Sequence, residues 1–312
     1  MISIRDFLVR GLLAGLVGGV LAFGVAYLVG EPSVESAISL EGSAATAPVH
    51  SPDVSTHRAA LHDSVVGSVT TGTAADTAQF ATASLLPPPS AAPSVDATLV
   101  AAPAHGGEHG DEEGTMVPRS LQSTLGLLTG TLLLGLALGG LAGVGLGVAV
   151  GRLGRLTVRA TALWLAGGAF VVLHAVPFLA YPPNPPAVGS GETIGSRTGL
   201  FFGMVGLSVV FAALALVVGR QVHRTHDGFT AGVVGVLLYA VLSLVTVAVV
   251  PSYDEVPAGF PGQVLFEFRQ GSLLTQLALW VGIGLTLAVT ANRLVAGHDA
   301  AHADGSREHV PA

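Results

Sequence analysis

The stretch LGLLTGTLLLGLALGGLAGVGLGVAV, residues 125–150, contains no charged side chain and is long enough to cross a bilayer as one helix. An α-helix rises about 1.5 Å per residue, so about 20 apolar residues cover a hydrocarbon core of about 30 Å. Because the run is continuously apolar, it predicts a transmembrane helix; a barrel strand would alternate apolar and polar residues.

Similar runs recur along the chain and set its class. The 312 residues are 50% apolar and only 11% charged, whereas soluble proteins carry about 25% charged residues. We therefore predict an all-α, polytopic membrane helical bundle of about six transmembrane helices. The predicted spans are Gly11–Val29, Leu125–Val150, Ala160–Ala180, Thr198–Gly219, Phe229–Val250 and Ser272–Ala291.

The arginines predict the orientation of these spans, because basic residues are retained in the cytoplasm. All 13 basic residues are Arg, and six spans place nine of them on one side. Both termini are therefore expected to be cytoplasmic. A signal peptide is the alternative for the first span, but its apolar run exceeds the usual core of about 7–15 residues, which favours an uncleaved anchor.

The spans divide the chain into four predicted segments. Residues 1–30 form the first transmembrane helix with a cytoplasmic N-terminus, and residues 31–120 form a long extracytoplasmic loop of low complexity that contains His and acidic residues. Residues 121–291 form a five-helix transmembrane core, and residues 292–312 a cytoplasmic tail. The long loop is rich in Ala, Ser, Thr and Pro, a composition that predicts disorder, and the tail is expected to be mobile.

Two missing residue types exclude several kinds of chemistry. The chain has no Cys, which excludes disulfides, thiolate metal sites and cysteine nucleophiles. It also has no Lys, so the phosphate-binding loop of nucleotide-driven pumps cannot form. Since no nucleophile, base and orienting group stand at a recognisable spacing, we expect a non-enzyme. The expected partner is the lipid bilayer, not nucleic acid, and no cofactor is indicated.

A tract of His and acidic residues in the long loop is a candidate metal-capture site. Imidazole and carboxylate together suit borderline divalent ions, and the intervening glycines let the chain wrap round an ion. The alternative is a solvated acidic linker. The candidate ligands are His105, Glu108, His109, Asp111, Glu112 and Glu113.

Inside the spans, His174 is the one ionisable side chain far from either end. Intramembrane polar groups are costly and therefore suggest function, so His174 is a candidate metal ligand on a path. The alternative is a neutral His hydrogen-bonded to a neighbouring helix. Thr275 and Gln276 are candidates to line the same passage or to bond across helices.

Two outer loops are expected to be ordered. One is the proline-rich segment 181–189, whose fixed φ angles make it stiff, and the other follows the fifth span. The loops and their flanks carry acidic residues that are candidates for a cation entrance; the alternative is an aromatic belt with surface salt bridges. The candidate entrance residues are Glu192, Asp254, Glu255 and Glu267.

Glycines recur every fourth residue in the first two spans. Small residues at this spacing let helices approach closely in lipid, so both spans are expected to pack tightly against neighbours or another subunit. The repeats are Gly11, Gly15 and Gly19, then Gly135, Gly139, Gly143 and Gly147.

Several motifs in the predicted helices and in the two ordered outer loops resemble those of the CbtA family of probable cobalt transporter subunits. They are FLVRGLLAG (7–15), LVGEP (28–32), PFLAYPPNPPAVG (177–189), ETIGSRT (192–198), EVPAGFP (255–261), FR (268–269) and SLLTQ (272–276). The resemblance implies a bacterial inner-membrane protein that supplies cobalt for cobalamin synthesis, often beside CbtB, a small single-span partner with a His-rich end. It also maps the family's His- and acid-containing outer loop onto residues 105–113.

Two functions of different classes follow from the sequence. The first is a subunit of a transporter that takes up Co²⁺, with Ni²⁺ as a competing ion. The second is a non-transporting membrane protein that binds metal or assembles with a partner, which the scarcity of charged groups inside the spans supports.

Overall fold

The computed structural model describes residues 2–46, 119–152 and 156–307, and every regular element within these ranges is helical. Two helices contain a wider, π-helical turn. In chain order the elements are α1 (Ile4–Val25), a first π-turn (Ala26–Gly30), α2 (Glu31–Thr46), α3 (Arg119–Ala149), α4 (Val158–Phe170), a second π-turn (Val171–Ala175), α5 (Val176–Ala180), α6 (Ile194–Val222), α7 (Gly228–Val249) and α8 (Gly262–Arg307).

Six helices in the described ranges are long and apolar enough to cross a membrane, which confirms the predicted all-α bundle. Each contains or closely coincides with one predicted span. We call the end that carries loops 181–193 and 250–261 the outer end, after the orientation expected from the arginines. The candidate spans are Ile4–Ser43, Ser123–Ala149, Val158–Ala180, Ile194–Val222, Gly228–Val249 and Gly262–Ala300.

Two helices extend beyond their apolar cores, contrary to expectation. The predicted loop was to begin at residue 31, but α2 continues the first helix to Thr46 and packs against α8, with Ser33 and Ala37 buried. At the other end α8 continues through residues 292–307, where a mobile tail was expected. A hydropathy pattern identifies only the apolar part of a helix. The helix itself can continue into polar sequence, because many polar residues also tolerate helical backbone hydrogen bonding.

Glycine faces bring α1 and α3 into backbone contact. A Cβ placed on Gly11 would lie 2.8 Å from the Cα of Gly143, and one on Gly19 would lie 2.8 Å from the carbonyl oxygen of Thr131. Between these points Gly15 meets Gly135 and Gly139 with no room for a side chain. The spacing predicted close packing, and the structure shows that the two glycine repeats pack against each other, antiparallel.

The remaining core forms where α8 joins α1 and α4. Helix α8 crosses α1 where Gly282 meets Gly18, and a Cβ added to Gly282 would lie 2.7 Å from the Gly18 Cα. Beside this crossing Leu279, Ile283 and Leu287 of α8 are almost fully buried. The four helices α1, α3, α4 and α8 consequently form one tightly packed group.

The pair α6 and α7 lies beside this group. In the described residues its main contacts are within the pair, with the second π-turn and with α5. Only 6% of the apolar window of α7 is buried, compared with 39% in α8. Most of the α7 surface therefore faces the surroundings, which for a membrane-crossing helix are lipid.

Each π-turn ends two residues before a proline. Proline lacks the N–H that would bond the carbonyl four residues earlier, and its ring clashes with that carbonyl. Pro32 and Pro177 stand in this relation to Leu28 and Leu173, each inside a π-turn. Widening the helix by one residue accommodates the proline without ending the span.

Candidate functional site

Glu255 is the centre of a polar network at the outer end. Its carboxylate accepts a hydrogen bond from the Ser190 N–H at 3.1 Å and another from the Thr193 hydroxyl, and it pairs with the Arg197 guanidinium at 3.2 Å. Gly189 has φ +120°, and a Cβ there would lie 2.7 Å from an Arg197 nitrogen. The network therefore joins the loop before α8 to the start of α6.

Three further hydrogen bonds hold the proline-rich loop. Arg269 on α8 donates to the Pro183 carbonyl at 3.3 Å and to the Asn184 side chain at 3.0 Å. Tyr181 donates its hydroxyl to the Pro251 carbonyl at 3.0 Å, directly beyond the ends of α5 and α7. Burial and then the neighbouring Tyr253 raise the pKa of Tyr181 above its ordinary value, which keeps this donor protonated.

The four predicted entrance carboxylates do not come together as one metal-binding group. In residues 2–46, 119–152 and 156–307 no three His, Asp or Glu side chains lie close enough to hold an ion. Glu192 and Asp254 are exposed, and Glu267 accepts a bond from Gln263 at 2.9 Å on its own helix. Glu255 pairs with Arg197 instead, which corresponds to the surface salt bridge that the sequence offered as the alternative to a cation entrance.

The pH dependence of this network is testable. The Thr193 hydroxyl, then the Ser190 N–H and the Arg197 charge, hold the pKa of Glu255 below its ordinary value of 4.5. A lowered folded-state pKa means that the stabilisation is present above the unfolded pKa and is lost as the pH falls through the folded one. Wild type should therefore melt higher than Glu255→Gln at neutral pH, and the difference should shrink in acid and vanish once Glu255 is protonated in the folded protein.

Melting in detergent across this pH range measures the effect. The exposed Glu267→Gln variant serves as the control, since Glu267 has no ion pair in the described residues. A Glu255→Gln protein with the wild-type melting temperature at neutral pH would contradict the assigned role of the carboxylate.

His174 lies within the second π-turn. Its ring stands between Phe170 and Phe178, with ring centroids 5.9 and 5.6 Å away. The Nε2 atom is buried and has no hydrogen-bond partner among the described residues. A bond from this nitrogen to a neighbouring helix, the alternative considered from the sequence, is therefore not formed, and π-turns in helices often occur at functional sites.

Thr275 and Gln276 line a different space. A cavity of about 230 Å³ lies among α1, α3 and α8, with Thr131 and Leu279 also in its wall. His174 is not among its lining residues, so the structure does not bring these polar groups and His174 together in one cavity. The reason is topological, because α8 packs on α1 at this level, whereas the second π-turn packs on α6.

The predicted metal-capture tract lies outside the described residues. This applies to all six of its candidate ligands, namely His105, Glu108, His109, Asp111, Glu112 and Glu113.

Sequence reasoning missed the pairing roles of Arg197 and Arg269. Arg197 follows the proline-rich loop in the sequence, and Arg269 follows the aromatic residues of 265–268. These positions could have indicated the pairing, because a buried cation at a membrane edge needs a partner.

An all-helical bundle of six membrane-crossing helices, with a histidine nitrogen buried among them, defines a polytopic membrane protein. The profile of the CbtA family, described as "probable cobalt transporter subunit", matches residues 4–292. The chain belongs to this family, which confirms the resemblance carried by its loop motifs. Searches of curated proteins and of solved structures gave no match.

Proposed function

We propose that this protein is an integral subunit of an inner-membrane transporter that takes up Co²⁺ for cobalamin synthesis. The observation that carries the proposal is His174, whose unpartnered nitrogen lies inside a span of a chain belonging to a cobalt transporter family. Imidazole is a good ligand for borderline divalent ions, and an intramembrane ionisable group is a functional candidate by default. Ni²⁺ is the expected competitor, because both ions accept the same ligands.

The route begins at the outer end. The His and acidic residues of 105–113 collect the ion, and the loops around Glu192, Asp254, Glu255 and Glu267 form its entrance. Exposed carboxylates attract cations to such a mouth without binding them tightly. Both termini lie in the cytoplasm, because six spans put nine of the 13 arginines on the same side as the termini and basic residues are retained in the cytoplasm.

The membrane potential can supply the energy. Moving one charge across 100 mV gives about 2.3 kcal/mol, so a divalent cation gains about 4.6 kcal/mol on the way in. No phosphate-binding loop is possible in a chain without Lys. A small single-span, His-rich subunit similar to CbtB is the proposed partner, and its His-rich end would pass metal to or from the outer loops.

Accumulation of radioactive ⁵⁷Co²⁺ in cells that express the chain, with and without this partner, tests the proposal. We expect accumulation above the empty-vector level, and we expect an uncoupler that collapses the potential to abolish it. Added Ni²⁺ should compete. Absence of accumulation in every background, despite confirmed membrane insertion, would refute uptake.

The second candidate is a metal-binding accessory protein that does not transport. It is favoured by the lack of any group of three His, Asp or Glu side chains in the described ranges that could hold an ion. Binding of Co²⁺ to the purified protein without flux in cells would support this alternative.

A further inference from the structure

Ser243, in the middle of the outer half of α7, is a second buried polar group without a partner. Its residue is 3% exposed, and its Oγ has no hydrogen-bond partner among the described residues. Hydroxyls in helices usually bond the carbonyl four residues earlier, as Thr246 does with Leu242 at 2.8 Å. Ser243 does not form this bond, although a buried polar group without one is costly.

Ser243 and His174 lie at the same depth. Each stands six residues before the last residue of its helix, Val249 and Ala180 respectively (249 − 243 and 180 − 174), which is about 9 Å along the axis. Both helices run toward the outer end, and α5 contacts α7. The hydrogen bond from Tyr181 to Pro251 joins the segments that follow these two helices, one or two residues beyond the helix ends, so both depths are measured from the same level.

The antiparallel helix α6 brings a third donor to this level. Met204, on the face of α6 that buries Ser208 and Ala215, is 1% exposed. Continuing the register of α6 and α7 by one turn toward the outer end places Met204 opposite Ser243. The register is fixed by close pairs between Gly219 and Ala231, Ala215 and Gly235, and Ser208 and Tyr239.

We propose that His174, Met204 and Ser243 form an intramembrane binding site for the divalent cation in transit, an inference that rests on the proposed function. The site offers a nitrogen, a thioether sulfur and a hydroxyl oxygen from three helices. Borderline ions such as Co²⁺ accept imidazole, and uncharged donors hold a cation loosely enough for it to leave. Two of the three donors have no hydrogen-bond partner within the part of the chain that the structure describes, which leaves them available to an ion.

The surrounding packing supports this location. The α1 and α3 interface is closed by backbone contacts between glycines, which leave no room for an ion. No comparable close packing joins α6 and α7 to α1, α3 or α8 in the described residues. The pair contacts the second π-turn and α5 instead. The path therefore runs between the α4–α5 segment and the α6–α7 pair.

Cysteine substitution tests the site directly, because the chain contains no Cys of its own. Ser243→Cys places a single thiol at the proposed site of the full-length protein, and Thr246→Cys is the matched control one turn away. Both variants carry His105→Ala and His109→Ala to remove two outer imidazoles. The probe is Co²⁺ alone, added to the protein purified in detergent.

We expect Co²⁺ to slow the reaction of the Ser243→Cys thiol with a methanethiosulfonate reagent at least about tenfold, because a thiolate ligates the metal. A thiolate-to-cobalt absorption band in the near ultraviolet should appear with the same Co²⁺ dependence. Neither change is expected for Thr246→Cys. Equal protection of the two thiols, absence of protection, or no reaction of either thiol would overturn the site.

Uptake of ⁵⁷Co²⁺ separates the site from the proposed function. Ser243→Ala and the volume-conserving Met204→Leu should lower uptake, the former at least about tenfold, while Thr246→Val keeps the wild-type rate. Wild-type uptake in Ser243→Ala would overturn the site and leave the function standing. Thiol protection in a protein without flux would leave the site standing and refute uptake, and loss of both signals would refute both.

Discussion

Replacing Gly139 by alanine is expected to lower the melting temperature of the detergent-solubilised protein by on the order of 10 °C. The added methyl group would lie 2.5 Å from the Gly15 nitrogen and would also overlap the carbonyl oxygen of Gly11. Neither contact is with a flexible side chain, so α1 and α3 have to separate along their length. Overpacking typically costs about 1–3 kcal/mol, and a backbone contact belongs at the upper end.

Gly130→Ala is the matched control, on the same helix about two and a half turns away. An added Cβ there meets nothing within 4 Å. Alanine is favoured over glycine inside a helix by about 0.5–1 kcal/mol, so this variant should melt at or slightly above the wild-type temperature. Fluorescence-detected size-exclusion chromatography after heating compares the two. Equal melting of Gly139→Ala and Gly130→Ala would show that the glycine faces are not in contact.

Replacing His174 by alanine is expected to reduce ⁵⁷Co²⁺ uptake at least about tenfold, because it removes the one imidazole on the proposed path. The side chain is only partly buried and lies between two phenylalanines, so the fold should tolerate the loss. A lower uptake with an unchanged amount of protein in the membrane would place the ion beside the second π-turn.

His226→Ala provides the comparison for this variant. His226 is exposed in the loop before α7, where its ring bonds Thr225 at 2.8 Å. The His226→Ala variant also loses one imidazole, but this imidazole lies outside the spans, so uptake should stay at the wild-type rate. If His174→Ala also transports at that rate, the ion passes elsewhere and the proposed path is wrong.

The helices were predictable because hydrophobic runs report directly on membrane crossing. The glycine repeats likewise predicted close packing, and the structure identifies the partner that spacing alone left open: Gly139 of one repeat meets Gly11 and Gly15 of the other. The π-turns were not predicted, although Pro32 and Pro177 inside apolar runs supplied the signal. A proline in a span requires a local change of helix geometry.

Pairings between distant residues were beyond reach of the sequence. Glu255 was a candidate entrance carboxylate with a surface salt bridge as the alternative, but the sequence did not indicate its partner, Arg197, 58 positions earlier (255 − 197). In the same way Gln276 and His174 both lie several residues inside the outer ends of their predicted spans, but different neighbours surround them. Position along a helix predicts depth in the membrane, whereas tertiary packing decides which helix faces which.

The hydrogen bond between Tyr181 and Pro251 joins α5 and α7 at their outer ends, whereas the short loop 223–227 and the close contacts at Gly219 and Gly235 join α6 and α7 near the opposite end. Any swing of α7 about its outer end therefore has to carry α6 with it. The 22 residues of α7 span about 33 Å, so a swing of the pair by about 10° would move the far end by about 6 Å and Ser243 by less than about 2 Å. A path along this pair could then open at the far end while the proposed donors stay nearly in place.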